Sequence, residues 1–240
     1  MKKWWLALTL TFIMLLSIVP VTFAIAPISN KAESKQLAIA TLSEAKATLY
    51  ATNREGYYEK FKLQMNGFTR YFPDWKNVDN PTYAPRLFFN DINHDGKKEL
   101  VIVLTKDYGT GVLNTEVHVF QTIQTNIDER YEEVLVDNPI SIILKNVKTR
   151  LTAHVAEIII GDKKTTENID RFQINPKKLF PDIAFGNIVK FSVIDNQLMA
   201  SIPGQISPGT FIGSIVIIYE YKDKMYQAKE VEYGNVAWSF

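Results

Sequence analysis

The chain has 240 residues, 46% hydrophobic and 22% charged, with 27 Lys and Arg against 26 Asp and Glu. That composition is ordinary for a globular protein, and with no basic stripe it argues against nucleic acid as a partner. There is no Cys, which excludes a disulfide framework, a cysteine nucleophile and a cysteine-linked lipid anchor.

Lys2 and Lys3 precede an apolar run from Leu6 to Val19 that ends at Pro20, with small residues at Thr22, Ala24 and Ala26. A basic start, a short apolar run and small residues are the layout of a secretory signal peptide, cleaved here after Ala24. The run is shorter than the roughly 20 residues of a membrane span. No stable span is therefore expected after cleavage, the alternative being an uncleaved N-terminal anchor. Taking Lys2 and Lys3 from the 27 cations leaves 25 against 26 acids, so charge names no partner. Export without cysteine suits a secreted, extracellular protein of a Gram-positive bacterium. The chain divides into a signal peptide (1–24), N-terminal helices with an aromatic connector (25–84), and a β-rich region (85–240). The last two pack as a single domain.

Asn30 and Glu33 have capping-box spacing, and Ala38, Leu42, Ala45 and Leu49 form the next apolar stripe, at helical spacing. A second helix is expected from about residue 57 to 65, with Tyr58, Phe61 and Met65 on one face and Gly67 as its stop. Ser43 and Lys46 match the S-x-x-K of penicillin-recognising enzymes. The companion motifs are absent, and an exposed helix face accounts for the pair. The connector from 68 to 83 holds Tyr71, Phe72, Trp75 and Tyr83 among prolines. It reads as aromatics sealing a sheet, or else as a platform for a sugar ring.

The stretch from Asp91 to Glu99 carries the chemistry. Asp91, Asn93 and Asp95 alternate, Gly96 comes directly after them, and Glu99 lies four residues after Asp95. Ca²⁺ takes roughly six to eight hard oxygen ligands, and short loops supply them from alternate positions around a Gly. Asp91, Asn93 and Asp95 fit positions 1, 3 and 5, the Lys97 carbonyl position 7, and Glu99 position 9. An EF-hand would need a carboxylate where Ile102 stands, and the residues after Glu99 form a β-branched run, not a helix. This stretch resembles the shortened calcium loop of FG-GAP and VCBS-type repeats, over about residues 85–105. The resemblance implies a loop between two strands that binds Ca²⁺, with Glu99 where Asp is commoner. The competing reading is an Asx-rich turn that binds nothing.

Beyond the loop the chain reads as hairpins: strands at 86–89, 100–105, 116–122 and 131–136, then 142–147 with 154–160, then a polar loop from 161 to 170. Strands at 189–194, 197–202, 212–221 and 225–233 repeat the four-strand order of 86–136, with Asp195 and Asn196 in place of the metal loop. This suggests a weak duplication. The alternation of Val236, Trp238 and Phe240 reads as a docked edge strand. The fold class is α+β, mainly β: two N-terminal helices followed by antiparallel hairpins in one or two blade-like or sandwich sheets.

His94 falls inside the loop, His154 begins a strand, and His118 shares a face with Glu116 that reads as solvated. Gly109 and Gly111 sit between strands and serve a turn, not a phosphate. No metalloprotease, nucleophile-elbow or similar motif occurs. The expected function is a secreted, calcium-stabilised β module with a binding or structural role at the cell surface or envelope. Its partners would be calcium and a cell-surface protein or glycan. The alternative is a secreted hydrolase acting on glycans, whose carboxylates only the fold would assemble.

Overall fold

The computed structural model describes residues 35–124 and 129–234. The expected signal segment, the Asn30–Glu33 cap and the C-terminal edge strand lie outside those residues. The described chain is mainly β, and its only α-helix lies in the middle of the sequence. The two N-terminal helices are replaced by strands. β1 (Leu37–Leu42), β2 (Ala47–Arg54), β3 (Tyr57–Met65), β4 (Phe68–Phe72) and the two-residue β5 (Asn77–Val78) form one antiparallel sheet, with β5 paired to β3.

The reason is period two. Ala47, Leu49 and Ala51 are buried while Thr48 and Tyr50 are less so, and Phe61, Leu63 and Met65 are buried around Lys62 and Gln64. Side chains alternating in this way bury one face of a strand, not a helical stripe. The apparent stripe Ala38, Leu42, Ala45, Leu49 spans two strands and the turn between them, closed by the Lys46 N–H donating to the Ser43 carbonyl at 3.0 Å. Ser43 and Lys46 thus belong to a turn, not to a helix face. Gly67 stops no helix. With Asn66 it forms a two-residue hairpin, φ being 48° at Asn66 and 81° at Gly67.

The second half contains two antiparallel four-strand runs. β6 (Arg86–Asn90), β7 (Glu99–Gly109), β8 (Val112–Gln124) and β9 (Glu129–Val136) make the first. Between the two runs come α1 (Pro139–Asn146) and a small sheet of β10 (Val147–Leu151), β11 (Val155–Ile160) and β12 (Lys163–Asn168). β13 (Ile188–Ile194), β14 (Gln197–Ser207), β15 (Thr210–Lys222) and β16 (Met225–Gly234) make the second run.

Two expectations fail in the middle segment. Residues 142–147 are mostly helix, because the Asn138 side chain accepts the N–H groups of Ile140 and Ser141 and Pro139 fills the first turn. The polar stretch 161–170 contains β12, which pairs along its length with β11 and needs no apolar alternation because it is an edge.

The two four-strand runs join through short parallel pairings, β16 to β9 at Tyr226 and Val136, and β13 to β8 at Val189 and Asn114. Strands β8, β9, β16, β15, β14 and β13 therefore close a ring, with β7 and β6 added on the far edge of β8. β7 is buried on both faces. Val101 and Val103 enter the core of the ring, while Leu100, Ile102 and Leu104 pack against Leu49, Phe61 and Leu63 of the N-terminal sheet. Such a strand reads as a continuous apolar run.

Candidate metal centre

The loop from Asp91 to Lys98 joins β6 to β7, so two strands hold its ends by backbone pairing down to Asn90 opposite Glu99. Ile92 anchors it, fully buried in the core of the ring. The loop folds back on its own side chains. Asp91 accepts the N–H of Asp95 at 3.1 Å on Oδ1 and that of Gly96 at 3.0 Å on Oδ2. Asn93 Oδ1 accepts the Asp95 N–H at 2.9 Å, and Asp95 Oδ1 accepts the Lys97 N–H at 2.8 Å. The Asn93 amide donates to Asp95 Oδ2 at 3.2 Å. Left-handed backbone at His94 (φ 61°) and Gly96 (φ 85°) makes this coil possible.

The side chains of Asp91, Asn93 and Asp95 are thus gathered on one turn. Glu99 reaches back to the same loop, its Oε2 accepting the N–H of Ile92 at 2.9 Å and of Asn93 at 3.3 Å. Glu99 is only 1% exposed. Its carboxyl is raised to about 7: burial raises it most, the two N–H bonds oppose that, and the charges of Asp95 and Asp91 add to it. The neighbouring lysine does not neutralise it, since Lys98 pairs with Glu44. Tyr226 is fully buried, and its hydroxyl lacks a hydrogen-bond partner among the described residues. Burial raises that phenol most, followed by the charges of Glu99, Tyr221, Asp95 and Asp91.

Among the described residues, no three His, Cys, Asp or Glu side chains stand in a ready-made metal cage. That counts neither Asn93 nor a main-chain carbonyl, which would supply two of the five expected donors. Each carboxylate oxygen carries two lone pairs, so accepting one N–H leaves a second for a cation. The donor set suits a hard cation taking oxygen ligands, not a transition metal.

The loop is also tied to the second run. Asn90 donates from Nδ2 to Asn196 Oδ1 at 2.9 Å, across 106 residues of sequence. Asn196 belongs to the β13–β14 turn that stands where the first run has its loop.

The remaining expectations resolve as packing. Trp75 stacks on Phe72 and on His118, both at 3.8 Å between centroids, and lies edge-on to Phe61. The connector is therefore largely a core seal, although Tyr71 is 66% exposed. His118 is not on a solvated face. It is buried against Trp75 and shares a 2.8 Å bond with Glu133, which also faces Arg70 at 3.7 Å. Glu116 pairs instead with Lys106, at 2.9 Å. His154 is exposed and bonds Asp170.

Sequence reasoning missed the His118–Glu133–Arg70 line. Nothing local joins positions 70, 118 and 133; only the pairing of β8 with β9 and the packing of the N-terminal sheet bring them together.

Two open cavities flank α1. One of about 700 Å³ is lined by Asp137, Ser141, Lys145, Gln227 and Lys229 among others. The other, about 430 Å³, opens along Thr115–Val117 of β8, the part of that strand edge left between β13 and β9. Glu116 and Asp137 are the carboxylates on its described wall. Compared with known protein families, with curated proteins and with solved structures, the chain matches none significantly.

Proposed function

We propose that this chain is a secreted β module stabilised by Ca²⁺ in the 91–99 loop, acting as a binding or structural element at the cell surface or envelope. One observation carries the metal reading: Asp91, Asn93 and Asp95 are coiled onto a single turn through their own backbone N–H groups, with the buried Glu99 bonded to the same turn. Asp91, Asn93, Asp95, Glu99 and the Lys97 carbonyl would hold the ion. Calcium would supply the positive charge that three neighbouring carboxylates lack. Its effect would extend past the hairpin, because Asn90 ties the loop root to the β13–β14 turn.

An ion that binds only the folded chain adds RT ln(1 + [L]/Kd), about 2.7 kcal/mol at a hundredfold excess over Kd. Calcium at about 1 mM, the range of weak extracellular sites, should therefore raise the melting temperature, and EGTA should lower it. Mg²⁺ should do less, since it demands a tight octahedral shell and sheds water reluctantly. Asp95→Ala should abolish most of the calcium effect, while Ser43→Ala should retain it. Identical melting of wild type and Asp95→Ala at every calcium concentration would reduce the loop to an Asx-rich hairpin. The partner is sought by glycan-array and pull-down screens with and without Ca²⁺, and calcium-dependent capture is the expected result.

A further inference from the structure

Glu99 opens β7 and alternates with Val101 and Val103, whose side chains enter the core of the ring. By the period of two, its carboxyl enters the same interior, in keeping with its burial. Ile92, the anchor of the loop, is buried in that core as well. The centre therefore has two sides. Asp91 and Asn93 are half-buried and Asp95 is exposed, while Glu99 meets their turn from within.

Tyr226 reaches that interior from the second run. It is the second residue of β16, opposite Tyr221 across the hairpin and Val136 across the parallel seam. Its side chain is fully buried in the core that holds Ile92, yet its hydroxyl meets no hydrogen-bond partner among the described residues. A buried hydroxyl left unpaired is costly and calls for a reason. Tyr219, buried in the same core, shows the ordinary solution by donating to the Asp137 carbonyl at 3.0 Å. Burial raises the Tyr226 phenol most; after burial the largest influence is Glu99, followed by Tyr221, Asp95 and Asp91. All three loop carboxylates thus act on that one oxygen. Glu99 has the complementary need. Its bonds from the N–H groups of Ile92 and Asn93 both fall on Oε2, and an ionised carboxylate accepts at about four lone-pair sites over its two oxygens.

We propose that Tyr226 is a positioning residue of this centre: with the cation bound, its hydroxyl donates to the Glu99 carboxylate from the core side and holds it on the loop. The inference rests on the cation-binding reading of the 91–99 loop and adds to it a residue of the second run. A hydrogen bond to an ionised acceptor is about twice as strong as a neutral one, and a ligating carboxylate must be ionised. The contact therefore strengthens in the state that the cation demands. Because Tyr226 lies on the two-residue seam of β16 with β9, it would also carry the ion's effect to the closure of the ring.

The test compares wild type, Tyr226→Phe and Tyr219→Phe by thermal melting in EGTA and by calorimetric titration with calcium chloride. Tyr226→Phe removes one oxygen that has no partner in the metal-free fold, so in EGTA it should melt no lower than wild type. Its calcium Kd should nevertheless rise roughly tenfold, the value of one charge-assisted hydrogen bond. Tyr219→Phe should do the reverse, melting lower in EGTA through its lost bond to Asp137 while keeping the wild-type calcium Kd. Calcium should also produce a near-ultraviolet tyrosine difference spectrum in wild type and Tyr219→Phe that Tyr226→Phe lacks, a signal that a merely structural hydroxyl would not give. Equal calcium Kd values in wild type and Tyr226→Phe overturn the proposal and leave the cation-binding reading standing. A wild type that takes up no calcium overturns that reading, and the proposal with it.

Discussion

Glu99 is the residue on which the loop turns, because it is a carboxyl buried beside two others. Its value of about 7 against an ordinary 4.5 means that the metal-free fold keeps a proton which the unfolded chain releases. Both states are protonated below about 4.5 and both are ionised above about 7. Between these limits the native state binds more protons, so stability falls as pH rises. The shift is on the order of 3 kcal/mol at most. Calcium bound as proposed would work against that proton, since a ligating carboxylate must be ionised. In EGTA, the melting temperature of wild type should therefore decline from about pH 5 to pH 7.5 relative to Glu99→Gln. Added calcium should reverse the decline in wild type only. Parallel pH profiles of the two proteins without metal would show that Glu99 carries no such shift.

At the scale of elements, the turns decided what the periodicities could not. Ala38, Leu42, Ala45 and Leu49 fit a helical template, yet the same segment contains Ala47, Leu49 and Ala51 at period two, and Asn66-Gly67 is a strong hairpin signal. With Gly67 at φ 81° and nothing within 4 Å of where a Cβ would stand, Gly67→Ala should cost about 1 kcal/mol through backbone strain alone. A chemical denaturation midpoint measures this, and no change would mean that the turn readily adopts another form. The turn that gathers Asp91, Asn93 and Asp95 between two strands was legible because its residues are local, lying with Glu99 within nine positions. The strands on either side of it, at 86–89 and 100–105, were legible for the same reason, one ending in Asn90 and the other opening on a β-branched run. α1 was not, because Asn138-Pro139 both ends β9 and caps a helix. β12 was not, because an edge strand of Lys, Thr and Glu looks like a loop.

At the scale of the molecule, one strand serves two cores. The two four-strand runs were visible in the spacing of hairpins, but the ring they close was not, since it depends on parallel pairings two residues long. Such short seams hold little by themselves. The N-terminal sheet and the ring should nevertheless melt together, because β7 places Ile102 in one core and Val103 in the other. Neither core can open without exposing a face of that strand, and interiors this densely packed transmit the loss. Ile217→Ala tests this, since Ile217 is fully buried inside the ring and belongs to the core that excludes the N-terminal sheet. It should cost about 2–5 kcal/mol. Amide exchange in β2 and β3, remote from the substitution, should then accelerate as much as exchange in β14 and β15. Stability that opens in separate units would instead protect β2 and β3 as before. That outcome would make the N-terminal sheet an independent foldon resting on the ring.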